Sequence, residues 1–204
     1  TSGFSVVIAQ RAGAGDKEQI RISVAACGWL CAAVTAAVTL LSTAGADPLL
    51  RLMNTPEDIF QYASGYIGII FGGLGASIYY NMTAGILRAV GDSRTPLYFL
   101  IFSSVLNVVL DLAAVLAFHG GVEGAAAATV LAQLVSAVLC HWYARRKYPD
   151  IWPERRHWGQ SLSQGWQHLR IGLPMALQFS VTAVGIMILQ AFLNGFGSAA
   201  VAGY

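Results

Sequence analysis

Long runs without a charged side chain are the feature that most constrains the fold of this chain. Crossing the hydrocarbon core of a membrane takes about 20 apolar residues in a helix, and five runs in the sequence exceed that length. Asp111 is the single charge in the third of them. The sequence therefore predicts an all-α polytopic membrane protein with five complete membrane-spanning helices, over residues 22–46, 59–87, 95–118, 124–144 and 171–204.

Both ends of the chain have the pattern of incomplete spans, which adds two truncated helices to the five. Residues 1–10 end in an apolar stretch typical of the tail of an earlier span, and the segment 194–198 divides the last run into one span and the start of another. The first residue is not methionine, and Tyr204 lies within an apolar run. We therefore expect a fragment of a longer protein that is cut within a helix at both ends. A basic start and a cleavage site, which a signal peptide requires, are both missing.

The charge composition excludes several classes of partner. Charged residues make up 11% of the chain and hydrophobic residues 56%, whereas soluble domains carry about 25% charged residues. The net charge of only +2 argues against a nucleic-acid partner, and the low share of charged residues makes the lipid bilayer the expected surroundings. Cys27, Cys31 and Cys140 lie in apolar runs without a zinc-binding spacing, and we expect them to be packing residues.

The distribution of basic residues predicts the orientation in the membrane. All but one of the 12 Lys and Arg residues fall in loops that antiparallel spans place on one side, and the exception is Arg51. Since cytoplasmic loops carry the excess of basic residues, that side is predicted to be cytoplasmic. The longest of these loops, residues 145–168, is predicted to be a linker that lies along the membrane surface between two helical bundles.

Glycine patterns predict where helices pack and turn. Small residues at intervals of four allow membrane helices to approach closely, and two such stripes occur. The turn at 91–96 combines a glycine that ends one helix with a polar residue and a proline that begin the next. It is interpreted either as helix capping or as a cytoplasmic gate element. The stripes consist of Gly68, Gly72 and Ala76, and of Gly120, Gly124 and Ala128.

One group of polar residues within the spans indicates a functional site. An ionised carboxylate costs several kcal/mol inside a membrane, and Asp111 is such a residue. Asn107 precedes it by one helical turn, and Thr129 and Gln133 lie on the next span. At about 1.5 Å per residue, Asp111, Thr129 and Tyr66 all lie roughly 9–12 Å below the outer surface. The alternative is a structural hydrogen-bond cluster, although amides and hydroxyls would serve that purpose without a carboxylate.

Three further positions have open interpretations. Asn81 lies nearer the cytoplasmic end of its span and either lines a cavity or packs against a neighbour. Gln178 and Gln190, in the last full span, either face a cavity or bond to an adjacent helix. We retain Asn81, Gln133 and Gln178 as candidate residues of a substrate cavity.

Several stretches in order along the chain carry a resemblance to a known family. They are Asn54-Thr55-Pro56-Glu57-Asp58-Ile59, Tyr80-Asn81, Ile86-Leu87-Arg88-Ala89-Val90-Gly91-Asp92-Ser93-Arg94-Thr95-Pro96-Leu97, Leu106-Asn107-Val108-Val109-Leu110-Asp111, Gly124-Ala125-Ala126-Ala127-Ala128-Thr129 and Arg170-Ile171-Gly172-Leu173-Pro174. With this order and spacing the chain resembles the bacterial multidrug and toxic compound extrusion (MATE) transporters.

The resemblance implies a twelve-helix protein of two six-helix lobes in the bacterial plasma membrane. Residues 1–144 would then belong to the N-terminal lobe, 145–168 would form the cytoplasmic linker between the lobes, and 169–204 would begin the C-terminal lobe. In the family a polar cluster of the first lobe binds the coupling cation, H⁺ or Na⁺, and no other cofactor is implied. Its motif positions correspond here to Asp111, Asn107 and Thr129, which would also be the ligands of a sodium ion, and Tyr66 corresponds to a position in the fourth helix.

Two departures from the family pattern limit what the resemblance implies. The carboxylate of the family's first helix would lie before Thr1. One sodium-driven branch also carries an acidic residue in the seventh helix, where this chain has Gln178 and Thr182. A second cation site of that kind is therefore not expected.

The resemblance implies a cation-coupled antiporter that exports organic, often cationic, drugs and toxic compounds by alternating access. The chain contains no Walker A motif that would support ATP-driven export. A lipid-linked precursor flippase of the same superfamily is the alternative, but it would need a basic central cavity, and the spans contain no internal Lys or Arg. An intramembrane enzyme would need a second catalytic group near Asp111, and a structural scaffold would not need Asp111 at all.

Overall fold

Every regular element in the part of the chain that the structure describes is helical. The computed structural model describes residues 2–52, 57–117 and 119–195. Short π-helical and 3₁₀ segments follow α5 and α6, at Ala113–Ala117 and Pro149–Ile151. The helices are α1 (Ser2–Gly13), α2 (Lys17–Leu52), α3 (Glu57–Gly72), α4 (Leu74–Ala89), α5 (Arg94–Leu112), α6 (Gly121–Lys147) and α7 (Arg155–Gly195).

The five predicted spans are confirmed as helices long and apolar enough to cross a membrane. They are Lys17–Pro48, Ile59–Ala89, Arg94–Ala117, Gly121–Lys147 and Arg155–Ile186. The first residues form α1, as expected for the end of a further helix, and α1 packs against α2, α4 and α7. Of the predicted break at 194–198, Asn194 and Gly195 continue α7, and the rest lies outside the described residues.

The second span is interrupted at its centre. The sequence predicts one run over 59–87, but α3 ends at Gly72 and α4 begins at Leu74. The amide of Gly73 donates to the Ile69 carbonyl at 2.9 Å, as in an α-helix. The next bond, from the amide of Ala76 to the Gly73 carbonyl at 3.0 Å, spans only three residues, as in a 3₁₀ turn. Adjacent glycines are a common site of such kinks, and Gly72 and Gly73 provide one here.

Gly68 and Gly72 of the first glycine stripe do not lie at a close contact between the described helices, so the prediction of close packing at these two positions was wrong. A Cβ added at Gly68 or at Gly72 would meet nothing within 4 Å. The close approach is instead at Gly73, where a Cβ would overlap the side chain of Val130 in α6. A glycine is required where Val130 of α6 approaches the backbone, which is at Gly73. The spacing of small residues along one helix does not show where a side chain of another helix will lie.

The second glycine stripe is confirmed as a packing surface. A Cβ on Gly124 would lie 3.3 Å from the Cβ of Ala114, and one on Gly120 would lie 3.2 Å from the Ala114 carbonyl oxygen. Ala128, one turn further along α6, is buried. The start of α6 therefore packs closely against the π-helical segment.

The turn between α4 and α5 has the predicted capping geometry. Gly91 has a φ of +93°, and the amide of Asp92 donates to the Leu87 carbonyl at 2.9 Å, as in a Schellman motif. The Asp92 carboxylate then accepts from the amide of Thr95 at 3.1 Å. The capping interpretation is confirmed, and the gate interpretation stays a prediction.

Most of the predicted linker is helical. α6 continues to Lys147 and α7 begins at Arg155, so residues 155–168 form one helix with the span that follows. The largest buried apolar cluster lies on the same basic side and includes Ile8, Val24 and Trp152. Cys27, Cys31 and Cys140 are buried and free, which confirms them as packing residues.

Candidate functional site

Two of the predicted site residues meet across the interface of α5 and α6. Asn107 donates a hydrogen bond from Nδ2 to Oγ1 of Thr129 at 3.2 Å. The Thr129 hydroxyl donates in turn to the carbonyl of Ala125 at 3.0 Å, which leaves its oxygen to accept from Asn107. One turn before Asn107, Ser103 donates to the Ala132 carbonyl at 3.4 Å. The polar face predicted for α5 is therefore the face that contacts α6.

Asp111 lies one turn beyond Asn107, in the last turn of α5. Its side chain is partly buried, and its Oδ1 atom is buried without a hydrogen-bond donor among the described residues. An unpaired carboxylate oxygen removed from water is costly. A proton or a small cation bound at this oxygen would relieve that cost.

The backbone departs from α-helical geometry directly after Asp111. Residues Ala113–Ala117 form a π-helical segment, and single-turn π-helical segments occur frequently at functional sites. His119 then adopts a φ of +51° and Gly121 a φ of +56° in the turn to α6. Sequence reasoning missed this segment, because an apolar run of Ala, Val and Leu has no pattern that distinguishes a π-helix from an α-helix.

No hydrogen bond joins Tyr66 to Asp111, Asn107 or Thr129 among the described residues. It lies on α3 with its side chain 37% exposed. Among the described residues, α3 packs against α2, α4 and α6 but not against α5. α6 therefore lies between the helix of Tyr66 and the helix of Asp111.

Gln133 joins α6 to α4 one turn further along α6 than Thr129. Its Oε1 atom accepts a hydrogen bond from the Ser77 hydroxyl of α4. Asn81 donates to the carbonyl of Ser77 at 2.8 Å, within its own helix. Sequence reasoning missed Ser77, although its position four residues before Asn81 places both on one helical face.

Gln178 is exposed on α7, and the side chain of Gln190 lies outside the described residues. None of the three residues predicted for a substrate cavity, Asn81, Gln133 and Gln178, lines the large cleft of the described structure.

That cleft has a volume of about 930 Å³ and lies between α2, α4 and α6. Residues of α2 form one wall, which is apolar apart from Thr35 and Thr39, and the larger polar side chains gather at one end. There the Tyr79 hydroxyl and Nδ1 of His141 are 2.8 Å apart, and the ring centroid of Trp152 is 4.5 Å from that of His141. The Arg145 guanidinium lies 5.7 Å from the centroid of the Trp152 ring. Sequence reasoning did not identify this cleft, because its walls come from helices that are distant in sequence.

A second polar cluster attaches the start of α7 to α1 and α2. Arg11 donates to Oε1 of Gln164 at 2.6 Å and to Oε1 of Gln167 at 2.8 Å. Glu18 of α2 contacts Nε2 of the buried His157 at 3.1 Å. Residues 155–168 are therefore held against the basic end of the first helices.

Comparison with known proteins gives the family. The sequence model of the MatE family matches residues 1–113. The chain is 35% identical over 158 residues to the probable multidrug resistance protein YpnP of Bacillus subtilis (strain 168), covering 76% of this chain and 35% of that protein. It is 29% identical to the probable multidrug resistance protein YoeA of the same organism, covering 100% of this chain and 45% of that protein.

A solved structure matches over almost the whole chain. It is the outward-facing conformation of a multidrug resistance MATE family transporter of the MOP superfamily. Its TM-score is 0.79 at 26% identity, and the match covers 96% of this chain and 44% of that one. The chain thus spans less than half the length of the relatives it matches. The localisation in the bacterial plasma (inner) membrane, with several spans, is confirmed. The all-α fold and the matches together show that the chain belongs to the MatE family of multidrug and toxic compound extrusion (MATE) proteins.

Proposed function

We propose that this chain provides most of the first lobe of a secondary antiporter that exports organic, often cationic, compounds from the cell. Residues 1–144 form part of the N-terminal lobe, residues 145–168 connect the lobes on the cytoplasmic side, and residues 169–204 begin the C-terminal lobe. Entry of H⁺ or Na⁺ supplies the energy, and the lobes alternate access to the two sides of the membrane. The relatives named as multidrug resistance proteins support this proposal.

The observation that carries the coupling proposal is the unpaired Oδ1 of Asp111 next to the Asn107–Thr129 hydrogen bond. Burial favours the neutral form of a carboxyl group, and hydrogen-bond donors or cations favour its charged form. Because burial and these partners act in opposite directions on the Asp111 carboxyl group, the site binds or releases its proton or cation when its access to water changes. In the sodium-driven version, oxygens of Asp111, Asn107 and Thr129 serve as ligands of the ion.

The energy available is adequate for export. One elementary charge that moves through 100 mV releases about 2.3 kcal/mol. At about 1.4 kcal/mol per factor of ten, one cation entering per substrate molecule supports a concentration ratio of roughly fifty-fold. The flippase alternative needs a basic central cavity, whereas the polar cluster of Asn107, Asp111, Thr129 and Gln133 on α5 and α6 contains a carboxylate and no basic side chain.

The test is transport by the full-length protein in proteoliposomes with imposed gradients. A fluorescent organic cation such as ethidium is the probe, and gradients of H⁺ and Na⁺ are applied separately. The proposal predicts dye movement against its own gradient under at least one of the two ion gradients, and no stimulation by ATP. Dye movement that depends on neither ion gradient would overturn the proposal.

A further inference from the structure

We propose that the cleft between α2, α4 and α6 binds an anionic phospholipid of the cytoplasmic leaflet, with an acyl chain in the apolar part and the phosphate group at the end formed by Arg145 and Trp152. The volume of about 930 Å³ lies within the range of about 300–1,000 Å³ that small-molecule sites occupy. This proposal concerns lipid binding and stands whether or not the protein exports drugs.

The headgroup end contains a hydrogen-bond donor that the described part of the protein leaves without an acceptor. Trp152 lines the cleft and is only 8% exposed, and its indole Nε1 is buried with no hydrogen-bond partner among the described residues. Buried indole N–H groups normally have a partner. An acceptor oxygen from a bound molecule would satisfy this one.

Positive charge lies at the same end. The Arg145 guanidinium is held against the Trp152 ring at 5.7 Å from its centroid, and no carboxylate pairs with Arg145 among the described residues. A guanidinium group binds phosphate oxygens through parallel hydrogen bonds. The Arg145 guanidinium and the Trp152 indole N–H together are therefore a donor set for a phosphate group.

The position of the cleft in the membrane selects a lipid over a soluble phosphate compound. Arg145 lies two residues before the end of α6, at about 3 Å from that end at 1.5 Å per residue. The apolar wall extends along α2 to Leu40, 23 residues after the helix begins at Lys17 and 68% exposed. The cleft thus begins at the basic interface and continues along α2 into the depth of the bilayer, and Leu40 at its deep end is exposed in this chain. Basic pockets between membrane helices on the cytoplasmic side bind anionic headgroups.

The experiment titrates the delipidated full-length transporter with phosphatidylglycerol and measures the bound fraction by native mass spectrometry. Trp152→Phe removes the N–H and keeps a ring, and Arg145→Gln removes the charge. Each should weaken phosphatidylglycerol binding about five-fold, which corresponds to the roughly 1 kcal/mol that one hydrogen bond contributes. Matched controls are Trp142→Phe and Arg146→Gln. These two residues face each other at 5.2 Å outside the cleft, and their variants should bind lipid as the unmodified protein does.

Further measurements identify the ligand and its position in the cleft. Ala36→Phe places a ring in the apolar wall without altering the headgroup donors, and it should also weaken binding. Phosphatidylethanolamine with the same acyl chains should bind more weakly, and inorganic phosphate at the same concentration should not compete. The proposal is overturned if the controls lose as much binding as the cleft variants, if Ala36→Phe binds normally, if the two lipids bind equally, or if inorganic phosphate competes.

Discussion

Nδ2 of Asn107 in α5 donates to Oγ1 of Thr129 in α6 across 3.2 Å. This bond joins the two helices one turn away from Asp111, whose Oδ1 atom is buried without a donor. The side chains of Asn107 and Thr129 therefore bond to each other, and neither of them donates to Oδ1 of Asp111. In the proposed mechanism the neutral pair positions the two helices, and Asp111 carries the exchangeable charge.

Removing either member of the neutral pair should weaken coupling without abolishing it. Asn107→Ala and Thr129→Ala each remove one neutral hydrogen bond, whose net contribution of about 0.5–1.5 kcal/mol corresponds to a change of roughly two- to ten-fold. The measurement is the cation concentration that gives half-maximal dye efflux from proteoliposomes. Ser104→Ala is the control, because Ser104 bonds to the Leu100 carbonyl of its own helix. If Ser104→Ala changed the half-maximal cation concentration as much as the other two variants, the bond between Asn107 and Thr129 would have no specific role in coupling.

The sequence predicted the spans and the polar face of α5 because both follow from local rules. The length of charge-free runs identifies a membrane helix, and helical spacing places Asn107 and Asp111 on one face. The comparison of depths in antiparallel spans placed Thr129 level with Asp111 and Asn107 one turn deeper, so it did not predict the bond between Asn107 and Thr129. The same depth comparison grouped Tyr66 with them, but depth carries no information about which helix lies beside which, and α6 lies between α3 and α5.

A matched pair of glycine variants tests the kink in the second span. Gly73→Ala would bring a Cβ into the side chain of Val130, whereas Gly72→Ala would meet nothing within 4 Å. Overpacking typically costs about 1–3 kcal/mol, so Gly73→Ala should lower the thermal unfolding temperature of the purified protein, and Gly72→Ala should leave it unchanged. A larger loss of stability for Gly72→Ala than for Gly73→Ala would contradict a close contact between Gly73 and Val130.

Asp92 should stabilise the cytoplasmic turn through its charge. Burial alone would raise the pKa of this carboxyl group, but hydrogen bonds from Lys147 and Thr95 outweigh burial and lower the pKa to about 2, from the ordinary 3.8. Because the pKa is lower in the folded protein, the stabilisation is complete above about pH 4 and is lost as the pH falls toward 2. Asp92→Asn should therefore unfold at a lower temperature than the unmodified protein above pH 4, with a difference that shrinks below it.

Asp150 provides the control for this pH dependence. Its carboxylate also contacts a lysine, Lys17, at 2.7 Å, but both side chains are more than half exposed. Exposed ion pairs contribute little to stability, so Asp150→Asn should leave the unfolding temperature unchanged throughout. A constant difference between Asp92→Asn and the unmodified protein down to pH 2 would show that the charge of Asp92 does not stabilise the turn.

The predicted orientation can be tested at Gln160, an exposed position in the segment that carries many of the basic residues. A cysteine at this position, in a full-length protein without other cysteines, should resist a membrane-impermeant thiol reagent in intact cells and react after the cells are opened. A cysteine at Gln61, exposed near the opposite end of the bundle, should react in intact cells. Labelling of the two positions in the reverse order would invert the topology.

The cleft and the π-helical segment could not be predicted, for two different physical reasons. The cleft is bounded by side chains of α2, α4 and α6. It is a gap between helices, and the sequence of any one helix does not show how far away its neighbours lie. The π-helical segment after Asp111 packs through Ala114 against Gly120 and Gly124 at the start of α6. The glycine stripe predicted that close packing, but the change in backbone geometry that accompanies it is a tertiary effect.

The most direct test of coupling at Asp111 is the measurement of dye efflux and dye binding for Asp111→Asn in the full-length protein. Asparagine keeps the shape of the side chain and removes both the charge and the titration. The account predicts that dye efflux driven by an H⁺ or Na⁺ gradient in proteoliposomes is abolished, while protein yield and equilibrium binding of the same dye are largely retained. Efflux by Asp111→Asn at the rate of the unmodified protein under the same gradient would contradict the account, because Asp111 would then have only a structural role.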